Sequence, residues 1–155
     1  MPRSSDSPGV VVFPPVLFGG TLALGLVLHW IRPAPLLPPL VARLIGIVVL
    51  VLSGLLARSA EAAMKRGGTN VRPDQPTLAI VTDGPFRFSR NPLYLAATGL
   101  YLAVTLLVNT VWPLALLVPM LVVLQWGVVR REERYLEAKF GEPYRTYRAR
   151  VRRWL

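Results

Sequence analysis

No cysteine occurs among the 155 residues, and there is a single histidine, His29. The first absence excludes disulfides, thiolate metal sites and a cysteine nucleophile. The second excludes a multi-histidine metal site, so no metal is expected. It also leaves no Ser-His-Asp arrangement away from His29, which closes an apolar segment and reads as an interfacial or packed side chain. Acidic residues are few, 8 against 18 basic, for a formal net charge of +10. From Asn91 to Val129 charge of either sign is missing altogether.

Apolar residues fill the space: 53% of the chain is hydrophobic, 17% is charged, and the mean hydropathy is +0.46. A soluble domain of this size carries more charge. A strongly basic chain can signal nucleic acid. With this apolar content the expected partner is a membrane, and no nucleic-acid partner is expected. The fold class read from these features is all-α: an integral membrane protein with about four transmembrane helices and a C-terminal amphipathic helical segment, in one membrane domain.

A membrane helix needs about 20 mostly apolar residues. Two such segments lie at 10–31 and 36–57. The uncharged run that follows is too long for one crossing, and Asn109–Thr110 marks its middle. It reads as helices at 91–108 and 111–129 joined by a tight turn, a hairpin that returns both ends to one face. The first segment follows an arginine-containing start, and no convincing small-residue cleavage site follows it, so it reads as a retained helix rather than a signal peptide.

Basic residues fix the orientation. Six lie in the 58–90 loop (Arg58, Lys65, Arg66, Arg72, Arg87, Arg90) and nine in the 130–155 tail. The 109–110 turn has none and the 32–35 connection only Arg32. Both termini are therefore expected in the cytoplasm, and the membrane to be a bacterial inner membrane. Arg43 lies near the outer end of the second segment, where its side chain can snorkel. Trp30, Trp112 and Trp126 read as interface anchors. In the tail, Leu136, Phe140, Tyr144, Tyr147 and Val151 form one apolar stripe at helical spacing. Gly141 and Pro143 interrupt it, a helix end followed by a helix start.

Charges kept beside a membrane core tend to be functional. Glu132 and Glu133 follow the fourth span, and Arg90 and Asn91 precede the third. The hairpin makes these groups neighbours, together with the Tyr94 hydroxyl. Carboxylates attract a sulfonium or an α-ammonium, and aromatic faces hold cations or stack on adenine. The plainer reading is that the two glutamates only pair with Arg130, Arg131 or Arg90, as surface charges do. Gly99, in "AATG", reads most simply as a site of close helix approach.

The two stretches "GPFRFSRNPLYLAATG" and "EERYLEAKFGEPYRTYRARVRR", separated by an apolar hairpin, resemble the isoprenylcysteine carboxyl methyltransferase and phospholipid methyltransferase superfamily. That pattern is approximately G-x-x-R-x-x-R-H-P-x-Y, a hairpin, then E-E-x-x-L-x-x-x-F-G-x-x-Y-x-x-Y. The likeness covers about residues 67–153. It implies a membrane enzyme using S-adenosylmethionine on a lipophilic small-molecule or lipid substrate. It implies that Asn91, Pro92, Leu93, Tyr94, Gly99, Glu132 and Glu133 bind the cofactor. Arg90 and Glu132 are then the candidate catalytic residues, and Tyr144, Tyr147 and Arg150 are tail positions that close the site.

One position departs from the pattern: the motif histidine is Asn91 here. Asparagine donates and accepts hydrogen bonds but does not act as a base near pH 7. A carboxylate acceptor needs no base; an amine does. Two other readings stay open on the sequence. One is an NADPH-dependent membrane reductase of the sterol reductase type, which has a similar C-terminal pattern. The other is a non-catalytic membrane module with the same fold, which Asn91 favours.

Overall fold

A computed structural model describes residues 8–71 and 75–155. Arg72 and the arginine-containing start lie outside the described residues. Among the described residues all regular structure is helical. The elements are α1 (Pro14–Ile31), α2 (Pro39–Arg66), a 3-10 turn (Gly84–Arg87), α3 (Pro92–Val108), α4 (Val111–Leu124), a π turn (Gln125–Val129), α5 (Arg130–Phe140) and α6 (Glu142–Arg150).

Three helical stretches are long and apolar enough to cross a membrane: α1, α2, and the continuous run from Val111 to Phe140. The apolar helix α3 is shorter, at 17 residues. Prolines begin α1, α2 and α3, where a missing N–H costs nothing.

The helix ends differ from the spans read off hydropathy. α2 runs on to Arg66 instead of ending at 57, so Arg58, Lys65 and Arg66 sit on a helix rather than in a loop. The cause is composition: "ARSAEAAMKR" is made of good helix formers, and nothing breaks it before Gly67. Leaving the apolar layer ends a span without ending a helix. The fourth helix likewise continues through the π turn into α5, and only Gly141, at φ +62°, stops it. Pro143 then starts α6. α1 begins at Pro14, four residues after the apolar run begins.

The bundle pairs α2 with α3 and α1 with α4, and small residues set the distances. A Cβ on Gly25 would lie 2.6 Å from Pro113 Cγ, and one on Gly46 would lie 2.9 Å from Leu107 Cγ. Such close approach is how apolar helices gain packing in a membrane. The buried Tyr101 hydroxyl donates to the Pro113 carbonyl at 2.8 Å and ties α3 to α4.

The two connections at one end of the bundle are joined to each other. Asn109 turns the chain in the left-handed region (φ 56°), a conformation asparagine tolerates. Its Oδ1 accepts from the Leu36 and Leu37 amides, both at 3.0 Å, and its Nδ2 donates to the Leu37 carbonyl at 2.7 Å. The Val111 amide donates to the Ala34 carbonyl, and the Trp112 indole to the Arg32 carbonyl. At the opposite end, the Val11 amide donates to the Gly127 carbonyl inside the π turn. That pins the N-terminal segment across the helix.

Candidate functional site

The hairpin does bring its ends together. The Tyr94 hydroxyl, in the first turn of α3, donates to Glu132 Oε1 in α5 at 2.6 Å. Arg90 NH1 lies 3.0 Å from Glu133 Oε1, with both side chains about 10% exposed. Glu133 also receives two parallel hydrogen bonds from Arg153, at 2.9 and 2.8 Å. A forked pair of this kind is strong and directional.

The last residues of the chain return to the motif that precedes α3. After α6, the Arg152 carbonyl accepts from the Arg90 amide at 2.9 Å. The Arg153 carbonyl accepts from Asn91 Nδ2 at 2.9 Å and from the Ser89 hydroxyl at 3.3 Å. Trp154 packs on the buried Leu124, Val128 and Val129, and its indole donates to Gln125 at 3.1 Å. The Tyr147 hydroxyl donates to the Phe86 carbonyl at 2.8 Å. Burial pushes the Tyr144 and Tyr147 hydroxyls above the usual tyrosine range, so both are neutral at pH 7. The tail stripe thus packs on protein.

A cavity of about 430 Å³ opens beside this cluster, between the start of α1, the end of α2, the start of α3, and α5. Six residues singled out in the sequence line it: Arg90, Asn91, Pro92, Leu93, Tyr94 and Glu132. Phe18, Phe86 and Leu136 give it an apolar side. Its volume falls in the range of small-molecule sites. Nε and NH1 of Arg90 are buried and make no hydrogen bond; the 3.0 Å approach to Glu133 is an ion contact without the alignment of one. Orphaned donors on a buried guanidinium are costly, and Arg90 is one of the residues that line this cavity.

Two expected site residues stand elsewhere. Gly99 is not at the cavity. It faces α2, where an added Cβ would lie 2.1 Å from Ser53 Oγ. Helix phase explains this: five residues from Tyr94 turn the side chain by about 140°, whereas Ala97, three residues on, stays on the cavity face. Glu133 lies behind the cavity wall, held by Arg90 and Arg153. Of its other expected partners, Arg130 stacks over the Trp126 ring at 3.4 Å and Arg131 donates to the Gly9 carbonyl. Arg150 faces a different, outer cavity. Reading the sequence also missed Arg153, because nothing local in "RVRRWL" says which arginine turns inward.

A profile of the family described as "Phospholipid methyltransferase" matches residues 41–143, from α2 into α6. The chain belongs to the phospholipid methyltransferase family. The match spans the cavity-lining motif, the hairpin and both glutamates. A protein of Haemophilus influenzae described only as uncharacterized is 45% identical over 64 residues, which is 41% of this chain and all of that protein. No solved structure matches the chain significantly. The family places the protein among integral membrane methyltransferases, whose members generally use S-adenosylmethionine.

Proposed function

We propose that this chain is an integral membrane methyltransferase that holds S-adenosylmethionine in the 430 Å³ cavity and serves a lipophilic acceptor. The observation that carries the reading is the convergence of Arg90, Asn91, Tyr94 and Glu132 on one cavity. The donor set fits the cofactor's chemistry. Arg90 suits a carboxylate, Glu132 suits an ammonium or ribose hydroxyls, and Phe86 and Tyr135 offer aromatic faces. When bound, the cofactor supplies an electrophilic methyl on a sulfonium.

The residues then bind, orient and exclude water. Tyr94 fixes the Glu132 carboxylate through its 2.6 Å hydrogen bond, so this acid grips a fixed part of the ligand. Glu133 and Arg153 fix Arg90 and the C-terminal strap, which closes the polar side. Asn91 spends its amide on the Arg153 carbonyl, so its role is to hold the strap rather than to take a proton. The apolar side, with Phe18, Met64 and Leu136, admits an acceptor from the bilayer. The acceptor class is a phospholipid amine, an isoprenylcysteine-like carboxylate or another small lipophilic molecule. Fifteen of the 18 basic residues lie in 58–90 and 130–155, and the described ones on the last turns of α2, on α5 and on α6 sit toward the cavity end. With the positive charge inside, that end and both termini face the cytoplasm, where a water-soluble cofactor arrives, and the membrane in this reading is a bacterial inner membrane.

Titration calorimetry of the detergent-purified protein tests the reading. S-adenosylmethionine gives a binding heat, and Glu132→Gln weakens it by about 1–3 kcal/mol, the size of a charged hydrogen bond. A wild-type protein that gives no heat at any cofactor concentration overturns it. Lipid extracts from cells fed labelled methionine, with and without the protein, then give the acceptor.

A further inference from the structure

We infer that Arg87 and Arg150 form a phosphate site for an anionic membrane phospholipid, whose negative charge is not offset by its own headgroup, and that this lipid clasps the C-terminal strap to the loop before α3. The two arginines line one cavity of about 510 Å³ on the far side of the 3-10 turn from the main cavity, with the Thr82 and Thr146 hydroxyls beside them. Among the described residues neither guanidinium has a hydrogen bond or ion pair. The carboxylates close to them in sequence are already engaged. Asp83 is bound by Arg66 at 3.0 Å, Glu142 by Arg145 at 2.9 Å, and Glu137 by Arg148 at 2.6 Å.

Two like charges facing one cavity repel each other, and an anion between them reverses that sign. A phosphate suits the pair because guanidinium forks match its oxygens two at a time, and threonine hydroxyls can donate to the others. The surroundings favour a lipid over a dissolved ion. Phe88, next to Arg87, is 75% exposed, and the apolar helix α3 starts four residues further on. A phenylalanine bared just before an apolar helix suits the headgroup–acyl boundary, with Arg87 beside it at headgroup level.

The site joins two segments that matter for the main cavity. The 3-10 turn leads into Ser89, Arg90 and Asn91. α6 leads into the Arg152 and Arg153 carbonyls that those residues hold. A phosphate bridging Arg87 to Arg150 therefore stabilises the closed strap from outside. The inference does not depend on the methyltransferase reading, since it uses neither cofactor nor acceptor.

The test is hydrogen exchange of the Arg90 amide, whose acceptor is the strap, in nanodiscs. Phosphatidylglycerol discs slow that exchange by about 30-fold relative to phosphatidylcholine discs, the size expected of two arginines meeting an anionic lipid. Arg87→Gln with Arg150→Gln abolishes the difference and keeps the phosphatidylcholine value. Arg145→Gln, whose charge is spent on Glu142, keeps the difference. Equal exchange in both discs overturns the site, as does a difference that survives the double substitution or falls equally with Arg145→Gln. Inorganic phosphate that slows exchange as much in phosphatidylcholine discs overturns the lipid as the source.

Discussion

The two ends of this bundle are built on opposite rules. At the Asn109 end both polar atoms of the turn asparagine have partners, charge is limited to Arg32 and Arg43, and the two connections are zipped together by short hydrogen bonds. At the other end a buried guanidinium has an Nε without a hydrogen bond, two glutamates sit side by side, and an open cavity lies next to them. The first end satisfies its turn and so fixes the fold, although His29 Nδ1, in the last turn of α1, is buried there without a partner. The second leaves demands unmet, which is what a ligand needs from a site. The same hairpin serves both, because a tight turn at one end forces proximity at the other.

The contrast can be broken at either end. The largest effect is expected from Glu133→Ala, which strips both Arg90 and Arg153 of their acid. Stability in denaturing mixed micelles should fall by about 4 kcal/mol, as for other severed buried pairs. A fall under about 1 kcal/mol would place the pair among ordinary surface charges. Asn109→Ala removes three hydrogen bonds and puts a Cβ residue with no compensating side chain in the left-handed region. A loss of about 3 kcal/mol is expected, with cofactor affinity unchanged. Weakened affinity there would mean that the two ends are not separable. Tyr94→Phe should act on both readouts. Cofactor binding should weaken by about 1 kcal/mol, and stability should fall by about 1 kcal/mol as the Glu132 carboxylate loses its donor.

The smallest change is expected from Asn91→His, which keeps a donor for the Arg153 carbonyl. Stability should move by no more than about 0.5 kcal/mol. The informative readout is pH. The imidazole becomes neutral as pH rises through about 6.5 and can then take a proton. Methyl transfer to an amine should rise across that range in the variant while the parent profile stays flat. Identical profiles would show that the side chain only holds the strap.

Much of this was legible in the residues, for identifiable reasons. The uncharged run with Asn109–Thr110 at its centre gave the hairpin, and the hairpin alone predicted that Tyr94 and Glu132 would meet. Helix ends were harder, since hydropathy reports where lipid stops and not where hydrogen bonding stops. Residues 58–66 and 130–140 are polar and still helical. Gly99, which the resemblance puts among the cofactor-binding residues, packs on Ser53 of α2 instead, as its own small size in "AATG" suggests. The inward turn of Arg153 depends on a contact across 20 residues of chain, and no local pattern encodes it.

The π turn at Gln125–Val129 also sets the aim of the acid. A π turn holds one residue more than the α turn it replaces. Deleting any one of those five would leave α4 and α5 as sound helices with the same apolar and charged faces. Beyond the shortened turn the chain would keep its direction, whereas rewinding all five residues as α would rotate everything beyond by about 100° and carry Glu132 away from Tyr94. The direction of the carboxylate is therefore stored in the winding of that one turn rather than in the identity of any residue in it.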